Sequence, residues 1–317
     1  MFHPEYIVDE RLDWFWLSKN PNAISLLEQN IEKINFINLL SKNPNAIHIL
    51  EQNPEIINWN SLSLNPNAIH LLEKNIKKIN WDWLSANPNA IHLLEKNLDK
   101  VCWYELSRNP NAIHILEQHL ENIDWFVLSS NPNAIPILEQ NVDKINWDGL
   151  SQNPNAIHIL EQNPENINWN SLSLNPNAIH LLEKNIDKIY WTFLSSNPNA
   201  IHLLEKNIDK IHWRWLSTNP NAIHLLEKNL EKVDWYILSK NQNANSLLEK
   251  NMNKVNWLAL SSNPNAIHLF ARLNTEKMRE NCKAFAEELA SYVFHPMRLM
   301  RLCNTHGLEL EEYFECV

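Results

Sequence analysis

The sequence predicts an all-α fold: a right-handed α-solenoid of about twelve 22-residue, two-helix repeats with a C-terminal helical cap. Three observations lead there. An Asn-x-Asn-Ala element returns twelve times from Asn20 to Asn263, always 22 residues apart except for one step of 23 between Asn20 and Asn43, where Leu39-Leu40 adds a residue. Within a repeat the apolar residues fall at helical spacing, and strand alternation is absent. Glycine occurs only at Gly149 and Gly307, which argues against phosphate-cradling loops and turn-rich β folds.

Residues 1–13 are expected to form an N-terminal cap, residues 14–271 the repeats, and residues 272–317 a helical cap. In the repeat beginning at Asn65, Asn-Pro reads as a helix start, with Asn as the capping residue and Pro at the first helical position. Ala68, Ile69 and Leu72 share one face of this helix A, about nine residues long. Asn75 ends it by the left-handed conformation that Asn tolerates. Position 16 of the repeat is Asn or Asp in most copies, a second capping site that opens helix B. An aromatic follows, Trp in every copy but Phe36, and then Leu at position 20 and Ser at position 21 without exception. The Trp row, three residues before an invariant Leu, is expected in the core. Helices this short hold only by packing on their neighbours. Twelve repeats at the usual helix spacing would give an extended body on the order of 100–120 Å long.

Glu51 to Ile76 returns almost unchanged from Glu161 to Ile186, so the array grew by copying whole repeats. The copy at Asn241-Gln242-Asn243-Ala244-Asn245 lacks both Pro and Ile, and a local departure is expected there. Past Arg272 the period stops. Thr275–Val293 reads as an amphipathic helix, His295-Pro296 breaks it, a second helix runs to about His306, and Leu308–Cys316 forms a last acidic helix. Such segments cover the final apolar face of a solenoid.

A net charge of −10 disfavours nucleic acid as a partner. Four scattered cysteines fit reduced thiols rather than a disulfide or zinc framework. Neither a secretory signal nor a membrane span is visible, so a soluble intracellular protein is expected. The histidine row at position 6, His48 to His268, repeats every ~9–10 Å of helix spacing. Zinc ligands must lie within about 2.0–2.1 Å of one ion, so hydrogen bonding between adjacent rungs is expected instead. The Glu row at position 9 reads as surface pairs. No metal, no cofactor and no catalytic set emerges, because every Ser and His belongs to the periodic scaffold.

What varies on this constant frame is positions 18 and 22 of helix B, four residues apart and therefore on one face. Tyr104, Phe126, Arg214 and Tyr236 at position 18, with Arg108 at position 22, are the candidate partner-binding residues.

The NPNAIHLLEKN…KINWxxLSxNP unit resembles the tandem repeats of proteins from giant DNA viruses that infect protists and algae. Val293-Phe294-His295-Pro296-Met297-Arg298-Leu299 resembles the His-Pro-x-Arg-Leu tail of the same proteins. The resemblance implies a viral protein in the host cytoplasm or the virion, with no established enzymatic activity, and it transfers no site residue. The expectation is a non-enzymatic scaffold for protein–protein interaction. The alternatives are a structural virion component, or an enzyme with its site near His295, Arg298 and His306.

Overall fold

The computed structural model describes residues 6–8, 11–34, 37–273 and 298. The chain divides into two units: Asp9–Phe270, which holds all the repeats, and Met1–Val8 together with Ala271–Val317. In the second of these, β1 (Tyr6–Val8) pairs antiparallel with β2 (Ala271–Leu273), Tyr6 opposite Leu273 and Val8 opposite Ala271. Residues 272 and 273 are thus strand, not helix. The helices predicted beyond them lie outside the described residues, except that Arg298 is helical.

The repeats are all-helical, as expected, but ten of the twelve have three short pieces rather than two. Helix A runs over Ile69–Lys74, a 3-10 turn over Ile76–Lys78 and helix B over Trp81–Ser85. Helix A is shorter than predicted because Asn-Pro-Asn-Ala precedes it as a turn. The Ala68 amide donates to the Asn65 carbonyl, and the Asn65 Oδ1 accepts from the Asn67 amide at 3.0 Å. Ala68 takes the N-cap place with no side-chain cap. At the other end Asn75 has φ −132°, not a left-handed value. Its Nδ2 caps the helix differently, donating to the Leu71 carbonyl at 2.9 Å. The Asn and Asp residues before helix B behave as predicted: Asn80 Oδ1 accepts from the Trp83 amide and Asp124 Oδ1 from Val127.

Ala at position 4 and Leu at position 20 are buried in every repeat, Leu at position 8 in all but the last, where Phe270 stands, and the aliphatic at position 15 in most, as Ala90, Leu84, Leu94 and Ile79 illustrate. The first repeat absorbs its extra residue before helix B, not at Leu39-Leu40. That helix starts at Ile37, which takes the first helical place held elsewhere by Trp. Phe36 lies outside the described residues.

Two invariant polar residues, both buried, join each repeat to the one before. The carboxamide Nδ2 of the first Asn donates to the Ser carbonyl and the Asn carbonyl of the preceding repeat, at 2.8–3.2 Å in all twelve copies. The hydroxyl of Ser85 donates to the Trp81 carbonyl and accepts from the Cys102 amide of the next repeat. Only a group that donates and accepts can fill that place. On the surface the second Asn repeats the link, Asn155 Nδ2 donating to the Pro132 carbonyl at 2.9 Å. The degenerate repeat keeps both bonds of Asn241, and Gln242 offers the carbonyl that Pro offers elsewhere. It departs at Asn245, whose buried Oδ1 has no partner among the described residues, and at Ser246, which replaces the position-6 His, so that Glu227 pairs with Lys250 instead.

The ladder closes on itself. Asn20, in the first repeat, donates at 3.1 Å to the carbonyls of Ser261 and Asn263 in the last, and Asn22 donates to Pro264. The Asp13 amide donates to Ser261 Oγ at 3.0 Å. The Arg11 guanidinium lies 3.8 Å from the Trp257 ring centroid, where other repeats place a Lys. Arg11, Leu12 and Asp13, expected in a cap, therefore serve as positions 14, 15 and 16 of a repeat. Leu12 fills the buried aliphatic place at 7% exposure, against 8% for Ile79 and Ile145. The repeat unit is a closed ring, not the extended body predicted, because its first and last repeats satisfy each other's bonds.

Three substitutions test this arrangement. Asn153→Ala strips the donor from two buried carbonyls, each costing about 1–3 kcal/mol, whereas Asn155→Ala removes one exposed bond worth about 0.5–1.5 kcal/mol. Chemical denaturation should separate the two. Leu12→Ala is expected to destabilise by about 2–5 kcal/mol, as a core Leu does; in an open array a terminal Leu would change the midpoint little.

Candidate functional site

Closure sorts the side chains of helix B. Helix B packs closely on the helix B of the next repeat, and on one face its side chains reach beyond the neighbour. Lys42 Nζ sits 3.9 Å from the Trp83 ring centroid, and Lys240 Nζ 5.3 Å from that of Trp16. Each contact joins position 22 of one repeat to position 19 of the repeat two further on. Side chains that bridge over an intervening unit mark the concave face of a curved array. Positions 19 and 22, three apart on one helix, form this face.

The face has relief. A groove of about 430 Å³ runs over three repeats, lined by Leu64, Asp82, Trp83, Ala86, Glu105 and Arg108. Elsewhere Phe193 meets Trp215 edge-on, with centroids 6.0 Å apart, and also Tyr190. Gly149, in the same row, sits close to its neighbour: a Cβ there would meet the Phe126 carbonyl oxygen at 3.2 Å, a tight contact that needs a shift of a few tenths of an ångström.

All five candidate residues are exposed, Phe126 most among the large apolar ones at 66%. Tyr104 and Arg108 touch: Arg108 donates to the Tyr104 hydroxyl at 3.2 Å and pairs with Glu105 at 3.8 Å. Phe126 is on the next helix B, Trp125–Leu128. Arg214, paired with Asp234 at 3.6 Å, and Tyr236 sit five repeats further on. The five thus form two groups rather than one patch. Position 19, with Trp16, Trp83 and Trp215, contributes as much to the face as position 18 does. Its range of side chains, from Gly149 to Trp215, was the available signal.

The periodic rows are structural. Nine position-6 histidines, among them His92 and His180, join Nε2 to the Glu of the preceding repeat, at 2.8 and 3.0 Å in those two, which is the inter-rung bonding expected. The Trp row is half-buried rather than core. Lys188 lies 4.5 Å from the Trp169 centroid and Lys210 4.7 Å from that of Trp191, so each indole has an ammonium over one face. A row the sequence reading passed over is Ile76, Leu120, Val142, Ile186 and Ile208, exposed apolar residues at the start of the 3-10 turns.

Among the described residues no group of three or more His, Cys, Asp or Glu could hold a metal ion, and no helix is long and apolar enough to cross a membrane. Comparison with family models, with curated proteins and with solved structures returns no match. The architecture itself is that of a helical repeat scaffold.

Proposed function

We propose that this chain is a non-enzymatic scaffold for protein–protein interaction, a viral protein that engages host or viral partners in the host cytoplasm or the virion. One observation carries the interaction reading. Asn, Ser and Leu hold the same bonds and burial in every repeat, while positions 18, 19 and 22 change from unit to unit on an accessible face. Such a surface can encode a partner without disturbing the frame. The viral assignment rests on the resemblance of the NPNAI unit and the His-Pro-x-Arg-Leu tail.

A structural component of the virion is the second reading. The exposed apolar row from Ile76 to Ile208 supports it, since repeated apolar side chains at one level suit contacts between copies. For an enzyme with a C-terminal site, His295 and His306 lie outside the described residues and Arg298 is exposed on a helix.

The test is parallel affinity capture from infected-cell lysate with the wild type and a Tyr104→Ala, Phe126→Ala, Arg214→Ala, Tyr236→Ala variant. Exposed positions of this kind change stability by about 0.5 kcal/mol or less each, so the variant should remain folded by thermal unfolding. Loss of a specific partner from the folded variant is the expected result. Equal capture by both proteins would exclude these residues, and abundance in purified particles with no other partner would favour the virion component.

A further inference from the structure

The concave face departs in charge from the rest of the molecule. Across positions 19 and 22 of the twelve repeats stand four cations, Lys19, Lys42, Arg108 and Lys240, and one acid, Glu105. That stripe is net +3 (four minus one) in a chain of −10.

The excess is local. Arg108 is answered by Glu105 at 3.8 Å. Lys19 and Lys42 end the helices Trp14–Lys19 and Ile37–Lys42, and Lys240 is in the turn just after Trp235–Leu238; these helices are successive around the ring apart from one helix B that contributes Ser262. Among the described residues none of the three makes an ion pair. Two of the three have aromatic partners: Lys42 lies over Trp83, and Lys240 between Trp16 and Tyr236, donating to the Tyr236 hydroxyl at 2.9 Å. Burial, and after it the charge of Lys19, pushes the Lys42 ammonium below the ordinary lysine range. Positive charges held together without a counter-charge are relieved by an anion.

We propose that the arc Lys240–Lys19–Lys42, with Trp16 and Trp83 between the ammonium groups, docks an acidic segment of a partner polypeptide. The proposal rests on the scaffold reading and deepens it by giving the partner's chemistry. An extended ligand fits because the lysines come from helices up to three repeats apart, at about 8–10 Å per step. A single small anion reaches too little of the arc. Single-stranded nucleic acid needs open ring faces for its bases, and here Lys42 and Lys240 already occupy one face each of Trp83 and Trp16. Carboxylates need only the ammonium groups, and a peptide leaves its apolar side chains for the indole edges.

The experiment is fluorescence anisotropy with the full chain and two labelled probes, an oligoglutamate and an oligothymidylate of equal charge. A Lys19→Gln, Lys42→Gln, Lys240→Gln variant is compared with Lys74→Gln, Lys96→Gln, Lys206→Gln, which removes the same charge from exposed sites on helix A. The wild type should bind oligoglutamate, more weakly as salt rises, and the arc variant should lose about tenfold or more in affinity while the control stays within about twofold. Equal loss in both variants, tighter binding of oligothymidylate, or no binding of oligoglutamate at low salt would overturn the proposal. If those results came with partner capture through Tyr104, Phe126, Arg214 and Tyr236 intact, the scaffold reading would stand and only the acidic ligand would fall.

Discussion

The buried carboxamide of the first Asn in each repeat is the interaction on which the architecture depends. It is the one side chain that ties three backbone groups at once, two carbonyls of the preceding repeat through Nδ2 and its own second neighbour's amide through Oδ1. Asp has no donor for the carbonyls, and Ser reaches only one of them. Helices of four to six residues have little stability alone, so the chain must gain it at the repeat boundary. Burying so polar a group is tolerable because every hydrogen-bonding atom of the amide is engaged.

Closure follows from the same bond. If each repeat takes two carbonyls from its predecessor, an open array leaves the first Asn without acceptors and the last carbonyls without a donor. Here Asn20 and the carbonyls of Ser261 and Asn263 solve both problems together. The join is a composite repeat, with helix A residues Ile267–Phe270 before it and Arg11, Leu12 and Asp13 after it. Twelve units sharing a full turn rotate by about 30° each, a small step of the kind repeat stacking accommodates. Curvature also explains the candidate face, since only the concave side lets position 22 reach position 19 two repeats away.

The periodic part was legible in the sequence and the global part was not. Period, helical content, the capping role of Asn80 and the rung-to-rung role of His92 all follow from local spacing. Ring against rod does not, because the rotation of about 30° per repeat is shared among all the boundaries and no single residue encodes it. A clue was nonetheless present: Arg11-Leu12-Asp13 has the cation, aliphatic and Asx order of Lys78-Ile79-Asn80. The Trp row misled because aromatic periodicity looks like core, while the Lys that covers most of the rings comes from the next repeat, 19 residues on in the case of Trp169 and Lys188. Asn-Pro misled because its helix-starting chemistry also suits a turn, and the amide was engaged elsewhere. The candidate residues were found as exposed variables, but their division into two groups needed the ring.

The most direct measurement is the distance between fluorophores at Ser25 and His268, both exposed and both at position 6, in the first and last repeats. In the closed ring these sites are neighbours, about one helix spacing of 8–10 Å apart before the linkers are added, and transfer should be nearly complete. An open array separates them by eleven repeat steps, on the order of 90–110 Å, and transfer would vanish. Near-complete transfer in the folded protein, lost on unfolding, is the expected result; its absence in the folded protein would contradict closure.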